Sequence, residues 1–348
     1  MINKYPRENV MQLTRRKLTF GTAAALALPG IVMPGRSARA AEFNFKIGMS
    51  VAKDHVAVQL LDKAAARMAE ESKGRIALQT YPSSQLGGDV DMLSEVHSGA
   101  LEFQMTGGSM LSNIVLVAGI NAVGFAFKNY DQVWAAMDGE LGALVRQDLD
   151  KAGFFCHDKS FDNGFRELTT TRHQIKTVGD LKGLKVRVPI GPVWTSLWAA
   201  LGAGPTSIDV SECYSALQTG IVDGQENALQ EIESLKFYEV QKYCSLTNHM
   251  WDGWWIIGNK EMWNKLPDDI KAIISRNFTL TAMEERNSIQ DDTKRTQDHL
   301  TSLGMTFNEP DRNSFREKLQ TTTYYKDWRK KYGDKAWEAL EHYVGALS

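Results

Sequence analysis

Polar and apolar residues alternate from Phe43 to Met49, the two-residue period of a half-buried strand. After the polar stretch Ser50 to His55 the period changes. Ala57, Leu60, Leu61, Ala64, Ala65 and Met68 fall on one stripe of a helix running from Val56 to about Ser72, and Lys73-Gly74 stops it. Ile76 to Tyr81 reads as a second strand. Pro82 to Asp89 is a turn feeding a helix from Val90 to Ser98, and Leu101 to Met105 is a third strand. This β-α-β-α-β rhythm predicts a parallel sheet with helices on its faces. Past Gly107-Gly108, the stretch Asn129 to Ala152 is largely helical.

Phe154 to Arg166 crosses towards a second region, which Lys176 to Val188 opens. Lys185-Val186-Arg187-Val188 alternates again, and Pro189 ends that strand because it has no amide hydrogen for the next ladder bond. Arg187 therefore sits at the strand's last turn, where binding groups commonly emerge in α/β proteins. A short apolar helix, Val193 to Leu201, is closed by Gly202 and Gly204. Ser211 is expected to cap a further helix, Glu212 to Thr219, which Gly220 ends. Ile221 to Asn227 then becomes a new strand edge, so Arg187 and Asn227 come from consecutive strand–helix junctions. Phe237 to Ser245 approaches a crossing back, and Trp254 to Ile257 reads as a strand of four apolar residues. Leu266-Pro267-Asp268-Asp269 starts a helix to about Leu303. About 35 residues at 1.5 Å rise span roughly 50 Å. That exceeds one small lobe, so the helix is expected to span two.

Composition narrows the class. The chain has 348 residues, enough for a sizeable core and for two lobes. Its first forty residues hold seven Lys or Arg and one acid, which leaves 33 basic and 41 acidic residues beyond them. That remainder, near −8 with no basic run, argues against nucleic acid and anionic membranes as partners. The basic start has its own reading. Arg15-Arg16 precedes an apolar run from Gly21 to Met33 and then Ser37-Ala38-Arg39-Ala40. The run is too short to span a bilayer, which needs about 20 residues. The three parts read as a signal peptide over 1–40 with a twin-arginine mark, predicting export to the periplasm and a mature start near Ala41. Cys156, Cys213 and Cys244 are far apart and odd in number, with no disulfide framework or zinc spacing. The seven histidines are scattered without a metal-ligating pair, and no nucleophile elbow or phosphate loop occurs. Neither a metal nor a cofactor is expected.

Three blocks then carry a resemblance. "DLKGLKVRVP", "ALGAGPTSIDVSECYSALQTGIVDGQEN" and "KFYEVQKY" stand in the order and at the spacing of the solute-binding proteins of tripartite ATP-independent periplasmic (TRAP) transporters, the DctP-like family. The similarity extends more weakly from Phe45 to about residue 345. It implies a two-lobed α/β periplasmic binding protein, not an enzyme, with several inter-lobe crossings and the site in the cleft. The lobes would be 41–164 with about 253–292, and 165–252 with about 293–348. It also implies a small organic acid as ligand and the TRAP membrane permease subunits as partners, with the binding protein itself a monomer. A sensor feeding a membrane receptor is the alternative that sequence does not separate; an exported hydrolase is a distant third.

The resemblance also weights individual residues. Arg187 matches the arginine that holds the ligand carboxylate in the family, and a guanidinium fork suits two parallel bonds to a carboxylate. Arg166, in Asn163-Gly164-Phe165-Arg166, matches a second arginine near the ligand; a salt bridge on the crossing strand is its alternative reading. Asn227 can donate and accept through its amide. Asp89 begins a helix, where capping explains a carboxylate as well as ligand contact does. Ser50 is a hydroxyl candidate. Trp251 and Trp254 follow Asn248-His249, where relatives place a pocket aromatic, and Val210 stands where some relatives carry an aromatic against the ligand. Trp194 and Trp198 share a helix face and read as core. Gly107 and Met110 stand where sialic-acid binders of the family carry an acid and an arginine, which speaks against sialate. The ligand class stays open between a carboxylate with an apolar or aromatic body, towards which the tryptophans lean, a sugar acid and a dicarboxylate.

Overall fold

The computed structural model describes residues 40–347; the export segment expected over 1–40 lies, but for Ala40, outside them. From Phe43 the chain builds the predicted rhythm: β1 (Phe43–Gly48), the helix Val56–Glu71, β2 (Ile76–Tyr81), the helix Asp89–Ser98 and β3 (Phe103–Gly107). β1 lies between β2 and β3 and is parallel to both. The helical stretch Asn129 to Ala152 is two helices, Tyr130–Met137 and Glu140–Lys151. Gly139 marks the break, where a Cβ would run into the Ala135 carbonyl and the Tyr343 hydroxyl.

Then come β4 (Phe154–Cys156), β5 (Phe161–Thr170), β6 (Lys185–Val188), the helix Pro192–Leu201, β7 (Gly204–Ser207), the helix Val210–Gln218 and β8 (Gly224–Asn227). β6 lies between β7 and β8, parallel to both. Asp209, rather than Ser211, caps the helix Val210–Gln218, its carboxylate accepting from the Ser211 amide at 3.0 Å. Aspartate caps as well as serine does, and the helix starts two residues earlier than expected.

Two strands join the halves. β9 (Tyr243–Asn259) is 17 residues long, far more than the four apolar residues expected, and it runs antiparallel to β5 and to β3. The sheet order is β2-β1-β3-β9-β5-β8-β6-β7, with β4 and β10 (Thr306–Asn308) pairing opposite ends of β9. The long helix, Asp268–Ser302, has 35 residues, close to the expected span. Its first half buries Ile270, Ile274 and Phe278 with β1 and β3; its last turn buries Leu300 with Cys213, Leu217 and Ile232. Arg67 ties it to the first half through Asn277 and Thr281 (3.1 and 2.8 Å), and Gln230 ties it to the second through the Ile289 carbonyl (3.2 Å). The fold is thus an α/β, two-lobed arrangement with a helix reaching across both. Among the described residues no helix is long and apolar enough to cross a membrane.

Candidate functional site

A cavity lies between the C-terminal ends of the parallel strands, bordered by β5, β9 and the helix starts that follow β3, β6 and β8. Its room for water-molecule centres is about 50 Å³, against roughly 10–15 Å³ for a single water on the same measure. That suits one compact solute. A larger hollow of about 480 Å³ beside Asp54, Lys236 and Arg295 lies elsewhere; on its wall His299 and Arg295 pair with Glu233 and Arg295 with Asp292.

Arg187 leaves the end of β6 and lines the cavity, only 1% exposed. Its Nε donates to the Ile208 carbonyl at 2.8 Å, which fixes the guanidinium plane. Its Nη1 is buried and has no acceptor among the described residues. A buried guanidinium with an unused donor is costly by itself, so the arrangement is built to meet an anion.

Arg166 also lines the cavity but is already engaged. Its Nε and Nη2 form a fork on Glu226, at 2.6 and 2.8 Å, and Nη2 also donates to the Glu226 carbonyl. Nη1 reaches Asp252 at 3.5 Å. Glu226 is bonded by His249 Nε2 at 2.9 Å as well. Burial alone would push the Glu226 carboxyl up, but Arg166 and His249 hold it below its ordinary range. The salt-bridge reading and the cavity reading of Arg166 are therefore both present. β5 carries two register irregularities, one on either side of Gly164–Arg166, and such bulges re-aim side chains. Asn163 and Arg166 both face the cavity from this stretch.

Asn227 closes β8 against the cavity, with its Oδ1 taken by the Ala228 amide at 3.0 Å. Val210 and Ser50 line it too. Asp89 opens the helix Asp89–Ser98, and its carboxyl faces the cavity. Burial, then repulsion from Asp209, pushes that carboxyl up to about 7, with Ser50 and Arg187 pulling it down.

The two tryptophans divide. Trp254 lines the cavity, whereas Trp251 does not. Trp251 lies in the core against Phe127 and Trp134, its Nε1 donating to Asp162 at 2.8 Å. The expectation of a cavity wall at Trp251 is corrected by the pleat: residues an odd number apart on a strand face opposite sides. By the same rule Asp252 shares the face of Trp254 and lines the cavity. Trp194 does more than was expected of it. Both tryptophans are buried in the core as expected, Trp198 edge-on to His249, but Trp194 also lines the cavity, with the Arg166 guanidinium 5.5 Å from its ring.

Sequence reasoning missed Glu231, Asp252 and Trp194. Glu231 lies in the first turn of the short helix Leu229–Ser234 and faces the cavity. Burial pushes its carboxyl up to about 7, against the pull of Arg166. Burial likewise raises Asp252 to about 6, again opposed by Arg166. A spacing of four from Asn227 is the only mark Glu231 leaves in the sequence.

Two halves of a mixed sheet, joined by paired long strands around a small polar cavity, define a two-lobed solute-binding protein. The chain belongs to the bacterial extracellular solute-binding protein family 7, whose model matches residues 47–331. It is 32% identical over 283 residues to the sialic acid-binding periplasmic protein SiaP of Vibrio cholerae, covering 80% of this chain and 86% of that one. An uncharacterized Sinorhizobium fredii protein is 33% identical over 75% of this chain, which spans only 48% of that relative's length. Among solved structures, a TRAP periplasmic solute-binding protein from Polaromonas, bound to D-erythronate, superposes with a TM-score of 0.82 at 29% identity, covering 87% of this chain and 99% of the other. A sugar acid binding protein from Advenella mimigardefordensis, in complex with galactonate, gives 0.84 at 25%, covering 89% and 100%.

Proposed function

We propose that this chain captures a small organic acid in the cavity and delivers it to the membrane subunits of a TRAP transporter. The observation that carries the reading is the buried, unpaired Nη1 of Arg187, presented to a cavity of ligand size in a solute-binding family. Relatives crystallised with D-erythronate and galactonate support it, since both ligands are carboxylates. In this reading the chain is a monomeric carrier, not an enzyme. The export segment takes it to the periplasm by the twin-arginine route.

The lobes we propose are 41–164 with about 253–292, and 165–252 with about 293–348, hinged where β5, β9 and the long helix cross. A ligand touching both sides favours a closed state because its contacts differ between open and closed forms. A thermal-shift screen with a panel of carboxylates tests the function, since a ligand raises apparent stability as RT ln(1 + [L]/Kd). At least one acid should shift the melting temperature by several degrees at millimolar concentration. No shift across aldonates, uronates, dicarboxylates and aromatic acids would refute it.

A further inference from the structure

The cavity's unpaired polar atoms constrain more than the carboxylate. Two are donors, Arg187 Nη1 and Trp194 Nε1. Three are acceptors: Asp89 Oδ1, Asn163 Oδ1 and Glu231 Oε1, each on a residue at least nine-tenths buried and without a donor among the described residues. The Thr106 hydroxyl, also unpartnered, can serve either way. All six residues line the same cavity. A buried polar atom left unpaired carries the full penalty of its desolvation. The ligand must therefore bring both acceptors and donors.

That requirement sorts the acids. A plain alkyl or aromatic carboxylate satisfies the two donors and leaves the three acceptors bare. A dicarboxylate brings only further acceptors, while the bare atoms of Asp89, Asn163 and Glu231 are themselves acceptors. Arg166 does not offset the second carboxylate, because its charge is matched by Glu226. An ammonium would answer a carboxyl wall. Yet the three bare acceptors stand on three separate elements, the helix Asp89–Ser98, β5 and the helix Leu229–Ser234, and one of them is a neutral amide. One ammonium on a compact body meets one such group; a row of hydroxyls meets all three. A hydroxyl also suits a carboxyl in either protonation state, because it both donates and accepts.

We propose that the cavity takes a polyhydroxylated monocarboxylate, with Arg187 and Trp194 on its carboxylate and Asp89, Asn163 and Glu231 reading its hydroxyls. This rests on the reading of the cavity as the ligand site. It reverses the lean towards an apolar body that the tryptophans suggest in the sequence.

A matched four-carbon series isolates the claim: D-erythronate, butyrate, succinate and 4-aminobutyrate, with galactonate and glucuronate as longer hydroxy acids, titrated into the purified protein by calorimetry. At least one hydroxy acid should bind about tenfold or more tighter than the other three compounds. Asp89→Ala and Glu231→Gln should each lose about tenfold for that acid, with thermal unfolding confirming that the variants fold. Butyrate or succinate matching the hydroxy acids would overturn the hydroxyl assignment while leaving the acid site standing. Tightest binding of 4-aminobutyrate would replace hydroxyls by an ammonium. Unchanged affinity in both variants would remove these carboxyls from the site. If none of the six compounds bound, while another acid did in a wider screen, the class alone would fall; if no acid bound at all, the site reading itself would fall.

Discussion

Trp251 and Trp254 stand three residues apart on β9 and serve different ends. Trp254 meets the cavity, and Trp251 holds the buried Asp162 through its indole N–H. Replacing Trp251 with Phe leaves that carboxyl short of a donor, so it should cost about 1–3 kcal/mol of stability. Urea unfolding should show the loss, and ligand affinity should stay within about twofold; a variant as stable as the parent would show that the bond contributes little. Residues at strand ends were legible in the sequence. Arg187 before Pro189, Asn227 after Asp223-Gly224 and Asp89 at a helix start announce themselves by the turn chemistry beside them, and Arg166 by the family pattern. Glu231, Asp252 and Trp194 were not legible. Each is one residue among ordinary neighbours, and only the pleat of β9 or the turn of a helix settles which way it faces.

At the scale of elements, the period of the pattern decided what could be read. The helix Val56–Glu71 and β1 each bury one face, so their periods of 3.6 and two are plain. Nearly every residue of β9 is buried. A strand covered on both faces loses its alternation, which is why only its most apolar quarter was recognised. Asp209 shows how one residue serves two elements. Its Oδ1 caps the helix Val210–Gln218, and its Oδ2 accepts from the Asp89 amide at 3.4 Å, the first residue of a helix on the other side of the cavity. Asp209→Ala should cost about 1 kcal/mol as a lost cap. Under the proposed hinge closure it should also weaken ligand binding, because this contact bridges the two sides of the cavity. A loss of stability with full affinity would show that the cap alone matters.

For the whole molecule, buried acids set the response to pH. Burial raises Asp89, Asp162 and Glu231 to about 7 and Glu167 to about 8. In an unfolded chain such groups titrate near 4. Each therefore contributes stability that is complete below about pH 4 and lost as pH rises through the native value. His55 and His157, lowered to about 4 by burial, act in the opposite sense, but only up to the unfolded imidazole value of about 6.5. Above that the carboxyls act alone. The ligand-free melting temperature should fall between about pH 6.5 and 8.5, and a flat or rising curve would contradict the burial of these acids. The central claim, that Arg187 holds the carboxylate of an organic acid, is tested most directly by titrating the tightest-binding acid into the parent, Arg187→Ala and Arg187→Lys by calorimetry. Removing one partner of a buried charge pair costs about 2–5 kcal/mol, roughly 30-fold to several-thousand-fold in affinity. Arg187→Ala should fall in that range, and Arg187→Lys should also bind poorly because an ammonium cannot form the guanidinium's fork. Affinity within about threefold of the parent in either variant, with the fold intact, would contradict the account.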